Sequence, residues 1–518
     1  MSTDVPTRPT YAGRRRRARG WWVPWGLATL PAIAARVLVG LGLFNFEQLI
    51  AAVLATGALV AIAARPAPSL AVLCVLLPFQ LMFTSGLYEL GLAGGLTRMA
   101  ALWKELVVLA LVLAAWRRSS GRSGALDALD RLAVAFVILG TIYVLVPELL
   151  LSGAGPPLSV DARFVSWRIV VLPSVLFLAC RRLHLQGDEL RRVVRGATAL
   201  AAAMGVVGVV EFVASGWWNS LLVNTVGVNR YRFEVLGVDF RSQGLSLVDI
   251  RVYGTVAGRE IIRAGGPMVS HLTFSFVLLI GLGIVVERII RQQVTVAVVV
   301  GAVGCGLGLL FTQTRSSIVG ACVLVIIALR PAPGRRTTDR ARYAIIAGAA
   351  IVVALPLVLG AGLGDRFTEG DEISDSVHDD RVDLAVETVI DHPFGLGLGM
   401  GSTAGGRAAE GAVPVENQIL DTAVQLGVLG SALLVGQYFL LISSLRRSSA
   451  GADRLSQTLA FGTRNAMVGM LVALWYQQAF GLLEVSWILF ALAGTALGAV
   501  EASRDRDPAQ EPVRVPGR

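Results

Sequence analysis

The stretch Leu309–Leu324, LLFTQTRSSIVGACVL, sets one arginine between two apolar runs. Upstream, VTVAVVVGAVGCGLG is nearly free of polar side chains; downstream, the apolar run continues to Leu329. Each flank is about one helix long, so the pair reads as a helical hairpin whose turn is Thr312, Gln313, Thr314, Arg315, Ser316 and Ser317. A tight turn between two spans is polar in any case, and Ser, Thr and Gln meet that need. Arginine asks for more. At membrane level its charge is costly unless it meets a partner or a wet cavity. Its planar fork is permanently charged and suits phosphate.

The rest of the chain has the same character. Of its 518 residues 54% are hydrophobic and 16% charged, with a mean hydropathy of +0.66. Soluble domains carry about 25% charged residues, so the composition implies a membrane protein. The formal net charge is +10, and Lys104 is the single lysine. With no basic soluble domain to hold nucleic acid, that balance reads as loop topology. Cys74, Cys180, Cys305 and Cys322 all fall in apolar segments, as small hydrophobes do, and not in a disulfide or metal spacing.

The apolar segments read as about fourteen spans, near 24–43, 47–64, 69–85, 99–116, 132–150, 164–180, 196–215, 268–287, 294–311, 316–330, 343–362, 421–443, 465–481 and 485–500. With the amino terminus inside, the arginine-dense short loops all fall on the cytoplasmic side: Arg117, Arg118 and Arg122; Arg181 to Arg195; Arg288 and Arg291; Arg330 to Arg342; Arg446 to Arg464. That is the positive-inside pattern. The expected architecture is an all-α polytopic membrane protein with two long extracytoplasmic loops. It divides into a basic cytoplasmic tail (1–20), a transmembrane bundle (21–215), a loop (216–267), helices carrying the Arg315 hairpin (268–362), a large catalytic loop (363–420), closing helices (421–500) and a cytoplasmic tail (501–518). Trp21, Trp22 and Trp25 are expected at the inner interface of an uncleaved amino terminus.

Several further arginines fall in the outer half. Arg168 lies inside a span, with Glu148 or Glu211 as an acid that could pair with it structurally; Arg263 lies just before a span; Arg381 lies in the second loop. In that loop Asp380 can cap a short helix, with Val382, Val386, Val389 and Ile390 on one face and Pro393 at its end. Gly395, Gly397, Gly399 and Gly401 follow. Without a strand before and a helix after they are no dinucleotide loop; they fit a backbone passing close to a substrate or to another helix. Next, Asn417, Asp421 and Gln425 recur every fourth residue and share a helix face, as residues lining a cavity do. Glu416 stands at that helix start, where an acid also simply suits the dipole.

Together these segments resemble the O-antigen ligase and Wzy-type polymerase family, polytopic bacterial enzymes of surface glycan assembly. The residues are LLFTQTRSSIVG at 309–320, DDRVDLAVETVIDHPFGLGLGMG at 379–401 and VENQILDTAVQLGVLG at 415–430, with weaker likeness at RIVVLPSVLFL and RAGGPMVSH. The resemblance implies transfer of a glycan from a polyprenyl-diphosphate carrier to a hydroxyl on a glycan or glycolipid acceptor, without cofactor or metal. It implies a bacterial plasma membrane, both termini cytoplasmic and the site outside. Arg315, Arg263, Arg168 and Arg381 would bind diphosphate. Arg315, Arg263 and Glu416 would be catalytic, and Asn417, Asp421, Gln425, Gly397 and Gly399 would line the substrate. Glu416 occupies the position where family ligases carry a histidine base, which leaves a different acceptor or a polymerase-like member open. Whether a chain-length regulator assists is open too. The competing class is a transporter or flippase of a lipid-linked oligosaccharide or small anion.

Overall fold

The structure, a computed structural model, describes residues 57–92, 97, 100–119, 126–146, 158–238, 248–256, 259–330, 372–401, 412–413, 415–448 and 452–504. The expected spans near 24–43 and 343–362, most of the one near 47–64, the amino-terminal tail with Trp21, Trp22 and Trp25, residues 505–518 of the expected carboxy-terminal tail and Glu148 lie outside the described residues; residues 501–504 of that tail continue the last helix.

The described chain is helical apart from one β-hairpin. Helix α1 (Pro66–Leu76) starts on a proline, whose missing N–H costs nothing at that position. It continues through a single 3₁₀ turn into α2 (Gln80–Glu89). Then follow α3 (Trp103–Ser119), α4 (Ala128–Leu145), α5 (Val160–Val170), α6 (Leu172–Arg182) and α7 (Gly187–Val213). Two short helices, α8 (Ser215–Ser220) and α9 (Val228–Glu234), and strands β1 (Val252–Val256) and β2 (Arg259–Arg263) occupy the first expected loop. The strands pair antiparallel, Val252 opposite Arg263. Helices α10 (His271–Ile290), α11 (Val296–Thr312) and α12 (Arg315–Ala328) come next, then α13 (Glu372–Asp391), α14 (Gln418–Ser448), α15 (Arg454–Tyr476) and α16 (Leu483–Arg504). Side-chain oxygens of Asp127, Ser159, Ser270, Thr295 and Asp453 accept the first free N–H groups of five of these helices.

Among the described residues six helices are long and apolar enough to cross a membrane: 66–89 taken through its break, α4, α7, α10, α14 and α16. The pair α5–α6, bent by 44°, would make a seventh. The chain is thus a multi-pass membrane protein, with fewer full-length spans described than the fourteen expected. The hairpin helices α11 and α12 are apolar but only 17 and 14 residues long. Helix α15 is long enough, but its first half carries Ser456, Gln457, Thr458, Thr463, Arg464 and Asn465.

Side-chain bonds sort the helix ends onto two faces. On one, Arg118 ending α3 meets Glu189 starting α7 at 2.8 Å, and Arg181 ending α6 meets Asp127 and Asp130 at the start of α4 and Glu501 near the end of α16. There too, Arg291 after α10 reaches Gln457 of α15 at 2.6 Å, and Arg504 of α16 reaches the Arg447 carbonyl of α14. On the other face Tyr88 of α2 meets Glu234 of α9, Tyr143 of α4 meets the Phe394 carbonyl, and the end of α11 meets β2. The helices therefore alternate in direction, and the described arginine-dense ends share one face.

Small residues set how closely the helices pack. A side chain at Gly205 of α7 would sit 2.7 Å from the backbone of Gly304 in α11. One at Gly320 of α12 would sit 2.5 Å from the Gly469 carbonyl of α15, and one at Gly283 of α10 as close to that of Gly462. With no hydrophobic gain between helices in lipid, such close approach is what holds them together.

Candidate functional site

The hairpin turn lies on the face opposite the arginine-rich one. Helix α11 ends at Thr312, and Gln313 takes the left-handed conformation, φ +52°. Thr314 precedes α12 without a side-chain cap, so Arg315 opens that helix where its N–H groups and dipole favour an anion. Thr312, Gln313 and Thr314 are buried, and Ser317 is bonded to Ser275 of α10 at 2.7 Å. Arg315 is half-buried, and among the described residues it has neither an ion pair nor a hydrogen bond. The Gln313 side-chain oxygen is buried without a hydrogen-bond partner among the described residues.

Arg263, at the end of β2, comes to this turn from the first loop. Its Nε donates to the Thr312 carbonyl at 3.1 Å, its Nη2 lies 3.4 Å from the Gln313 carbonyl, and the next N–H, of Ala264, donates to the Phe311 carbonyl at 3.0 Å. Of the four candidate diphosphate arginines, Arg263 and Arg315 are therefore brought to one turn.

The other two arginines are paired with acids. Arg168 of α5 bonds Glu105 of α3 at 3.0 Å, and Glu105 is 3.5 Å from the buried Lys104. Of the two acids considered for Arg168, Glu148 lies outside the described residues and Glu211 is spent on the Gly265 and Gly266 N–H groups. Arg381 of α13 forms an ion pair with Glu416, with 39% and 32% of the two side chains exposed. The candidate base thus sits beside a fixed positive charge.

Helix α13 begins at Glu372, eight residues before the expected cap at Asp380. Its buried side is centred on Ala385, with Val389 packed nearby, while Val386 and Ile390 are exposed. Alanine, the smaller side chain, lets α13 approach a second apolar cluster of Leu158, Leu396, Met400, Val415 and Val424. The face of three valines and one isoleucine expected from spacing is rotated accordingly.

The polar stripe of α14 binds the glycine run. Gln425 accepts the Gly399 N–H at 3.0 Å and donates to Asp421 at 2.9 Å, and its backbone carbonyl accepts the Gly397 N–H at 3.2 Å. Asn417 caps the helix through the N–H groups of Ile419 and Leu420. Gln478, after α15, donates to Asp421 at 3.3 Å and also to the Val415 carbonyl. Asn417, Asp421 and Gln425 are all at least nine-tenths buried.

Helix α14 breaks at Gly427, φ +73°, ψ 177°. The Oγ of Ser431 donates to the Ile419 carbonyl at 2.9 Å, although twelve residues of straight helix would separate them by roughly 18 Å. The segment before Gly427 therefore folds back against the one after it. Into the break goes the loop after α13: Leu396 N–H donates to Val424 O, and Val428 N–H to Pro393 O. A Cβ at Gly395 would stand 2.5 Å from the Gly427 nitrogen, so only glycine fits there.

Sequence reasoning missed Glu211 as a clamp, and Gln418 and Gln478 as braces. Gln418 accepts the N–H groups of Phe480 and Gly481. The available signal for Glu211 was its isolation in an apolar helix, where an ionisable residue marks a site needing a partner. Among the described residues no group of three or more His, Cys, Asp and Glu side chains is arranged to hold a metal ion.

These features define a helical membrane protein with an arginine turn, the helix α13 and a glycine loop on one face. Residues 297–435 match the family model described as O-antigen ligase. The matched segment holds α11, the Arg315 turn, α12, α13, the glycine loop and the break of α14. It supports the resemblance to O-antigen ligases and Wzy-type polymerases, and with it a glycosyltransferase-type membrane enzyme of polysaccharide assembly. A search of curated proteins finds no match to the chain.

Proposed function

We propose that the protein transfers a glycan from a polyprenyl-diphosphate carrier to a hydroxyl acceptor at the outer face of a bacterial plasma membrane. The observation that carries this reading is Arg315: a helix-opening arginine with no counter-charge among the described residues, at a turn that a second arginine also reaches, within the segment that matches O-antigen ligases. In the reaction the anomeric C–O bond to phosphate breaks and the diphosphate keeps its electron pair. Arg315, with Arg263 beside it, meets the charge that develops there; stabilisation of this kind supplies much of enzymatic rate enhancement. The acceptor oxygen bonds the anomeric carbon, and its proton passes to Glu416. Arg381 orients that carboxylate, and Arg168 serves the lipid end of the site. The glycine loop with Gly397 and Gly399 borders the acceptor, on the scaffold of Asn417, Asp421 and Gln425. No cofactor is required. Donor, acceptor and membrane lipid are the partners, with a chain-length regulator if the product is a polymer. The arginine-rich face and both termini are cytoplasmic.

Mass spectrometry of polyprenyl-diphosphate glycans in cells carrying Arg315→Ala tests the reading. Accumulated single repeat units mark a polymerase; accumulated long chains on lipid mark a ligase. A pool unchanged in amount and length overturns the assignment of Arg315 and favours transport.

A further inference from the structure

Beyond its first turn α7 carries a single acid, Glu211, in its last turn. It is 7% exposed, yet both carboxylate oxygens are satisfied: Oε1 accepts the Gly265 N–H at 3.0 Å and Oε2 the Gly266 N–H at 2.7 Å. Gly265 is in the right-handed region and Gly266 at φ +63°, the pairing that turns consecutive N–H groups toward one anion. A side chain on Gly266 would also collide with the Phe274 ring at 2.5 Å. This internal anion therefore fixes a loop that could take few other shapes.

That loop leads to the arginine turn. One residue before the clamped glycines, Ala264 donates to Phe311 O; one further back, Arg263 donates to Thr312 O. Those carbonyls belong to the last turn of α11, and the left-handed Gln313 and the extended Thr314 then lead to Arg315. We infer that Glu211 is a positioning residue for an anion site at Arg315, acting through Gly265, Gly266 and Arg263 without touching the anion. The inference rests on the reading of Arg315 as a diphosphate ligand and extends it to a residue outside the matched family segment.

The test is titration of inorganic pyrophosphate into the purified full-length protein in detergent, for wild type, Arg315→Ala, Glu211→Gln and the double variant. Glu211→Gln keeps the shape and replaces one acceptor oxygen by a donor facing a backbone N–H. Expected is a loss of affinity on the order of tenfold in wild type, the size of one lost charge-assisted hydrogen bond, and no further loss on top of Arg315→Ala. Such non-additivity marks residues acting through one another; a purely structural role would lower the melting temperature and leave the affinity and the coupling unchanged. If Arg315→Ala weakens binding and Glu211→Gln does not, the inference fails while the diphosphate reading stands. Equal loss in both backgrounds also overturns it. If wild type and Arg315→Ala bind alike, the reading of Arg315 fails and the inference with it. Should Glu211→Gln not fold, Glu211→Asp keeps the charge one methylene short, and an affinity equal to wild type would overturn the proposal.

Discussion

Arg181 and Arg315 both end up at membrane-helix termini, on opposite faces, and their surroundings differ completely. Arg181 is bonded to Asp127 at 2.5 Å, Asp130 at 2.8 Å and Glu501 at 2.5 Å, so it ties α4, α6 and α16 together. Arg315 has no such partner among the described residues. An arginine already matched by three acids contributes to the fold and offers nothing to a ligand. An unmatched one at a helix start, in a chain with little tolerance for stray charge, leaves its binding capacity for something that arrives. Arg168 and Arg381, each facing one carboxylate, fall between these cases.

The largest expected effect breaks the Arg181 side of the comparison. Arg181→Ala strands three acids where Gly498 of α16 packs closely on the Arg181 backbone. Removing one member of a largely buried pair, here Arg181–Asp130 with 12% and 14% of the side chains exposed, costs about 3–5 kcal/mol. Thermal unfolding of the detergent-purified protein should fall steeply, and any folded fraction should keep normal pyrophosphate affinity. A variant that melts like wild type would show that the three-way pairing does not hold this face.

Arg315→Ala should do the reverse. Loss of one stabilising group for developing charge costs on the order of 10²–10³ in rate, read as accumulated lipid-linked glycan. Because Arg315 holds no partner among the described residues, stability should change by no more than about 0.5 kcal/mol. A large drop in stability would place Arg315 with Arg181 and remove the contrast.

The Arg381–Glu416 pair sharpens the middle of the scale. Both side chains are about a third exposed, so the pair is worth at most ~1 kcal/mol of stability. Glu416→Gln should nevertheless slow transfer on the order of 10²-fold if the carboxylate takes the acceptor proton. The reversed pair, Arg381→Glu with Glu416→Arg, should restore the melting temperature and leave transfer lost. Recovery of transfer in the swap would make the pair a brace.

How much of this could be read beforehand depends on which physical rule governs each element. The hairpin was legible because two apolar runs around a polar hexapeptide leave few alternatives: α11 ends at Thr312 and α12 begins at Arg315. The helix after Asp380 was legible in kind; its start at Glu372 was hidden because an acidic segment has no apolar period to mark it. The break at Gly427 left no local signal, since a glycine within an apolar run is common in membrane helices. Only the loop docking into it, Pro393 to Val428 and Leu396 to Val424, gives that glycine its conformation. Among the site arginines, spacing could not distinguish a charge paired with a described carboxylate from one that is not. Glu105 and Arg168 are 63 residues apart in sequence, and Arg381 and Glu416 are 35.

The smallest expected effect concerns acid. Burial pushes the Asp127 carboxyl up, but the Arg181 guanidinium and the Asp130 N–H outweigh it and hold the group below the ordinary carboxylate range. A carboxylate depressed in the folded state contributes stability above its unfolded value, near pH 4, and loses that contribution as the pH falls through the folded one. Asp130 and Glu501 also face Arg181, and His184 lies 3.9 Å from Glu501. Asp127 itself is about half exposed, so solvent screening keeps its share below ~1 kcal/mol. Hydrogen exchange at the start of α4 should therefore rise modestly below about pH 4, while the end of α11 and the start of α12 stay protected. Among the described residues Arg315 has no carboxylate whose protonation could release it, so loosening at both ends together would mean that the two faces do not answer to different charges.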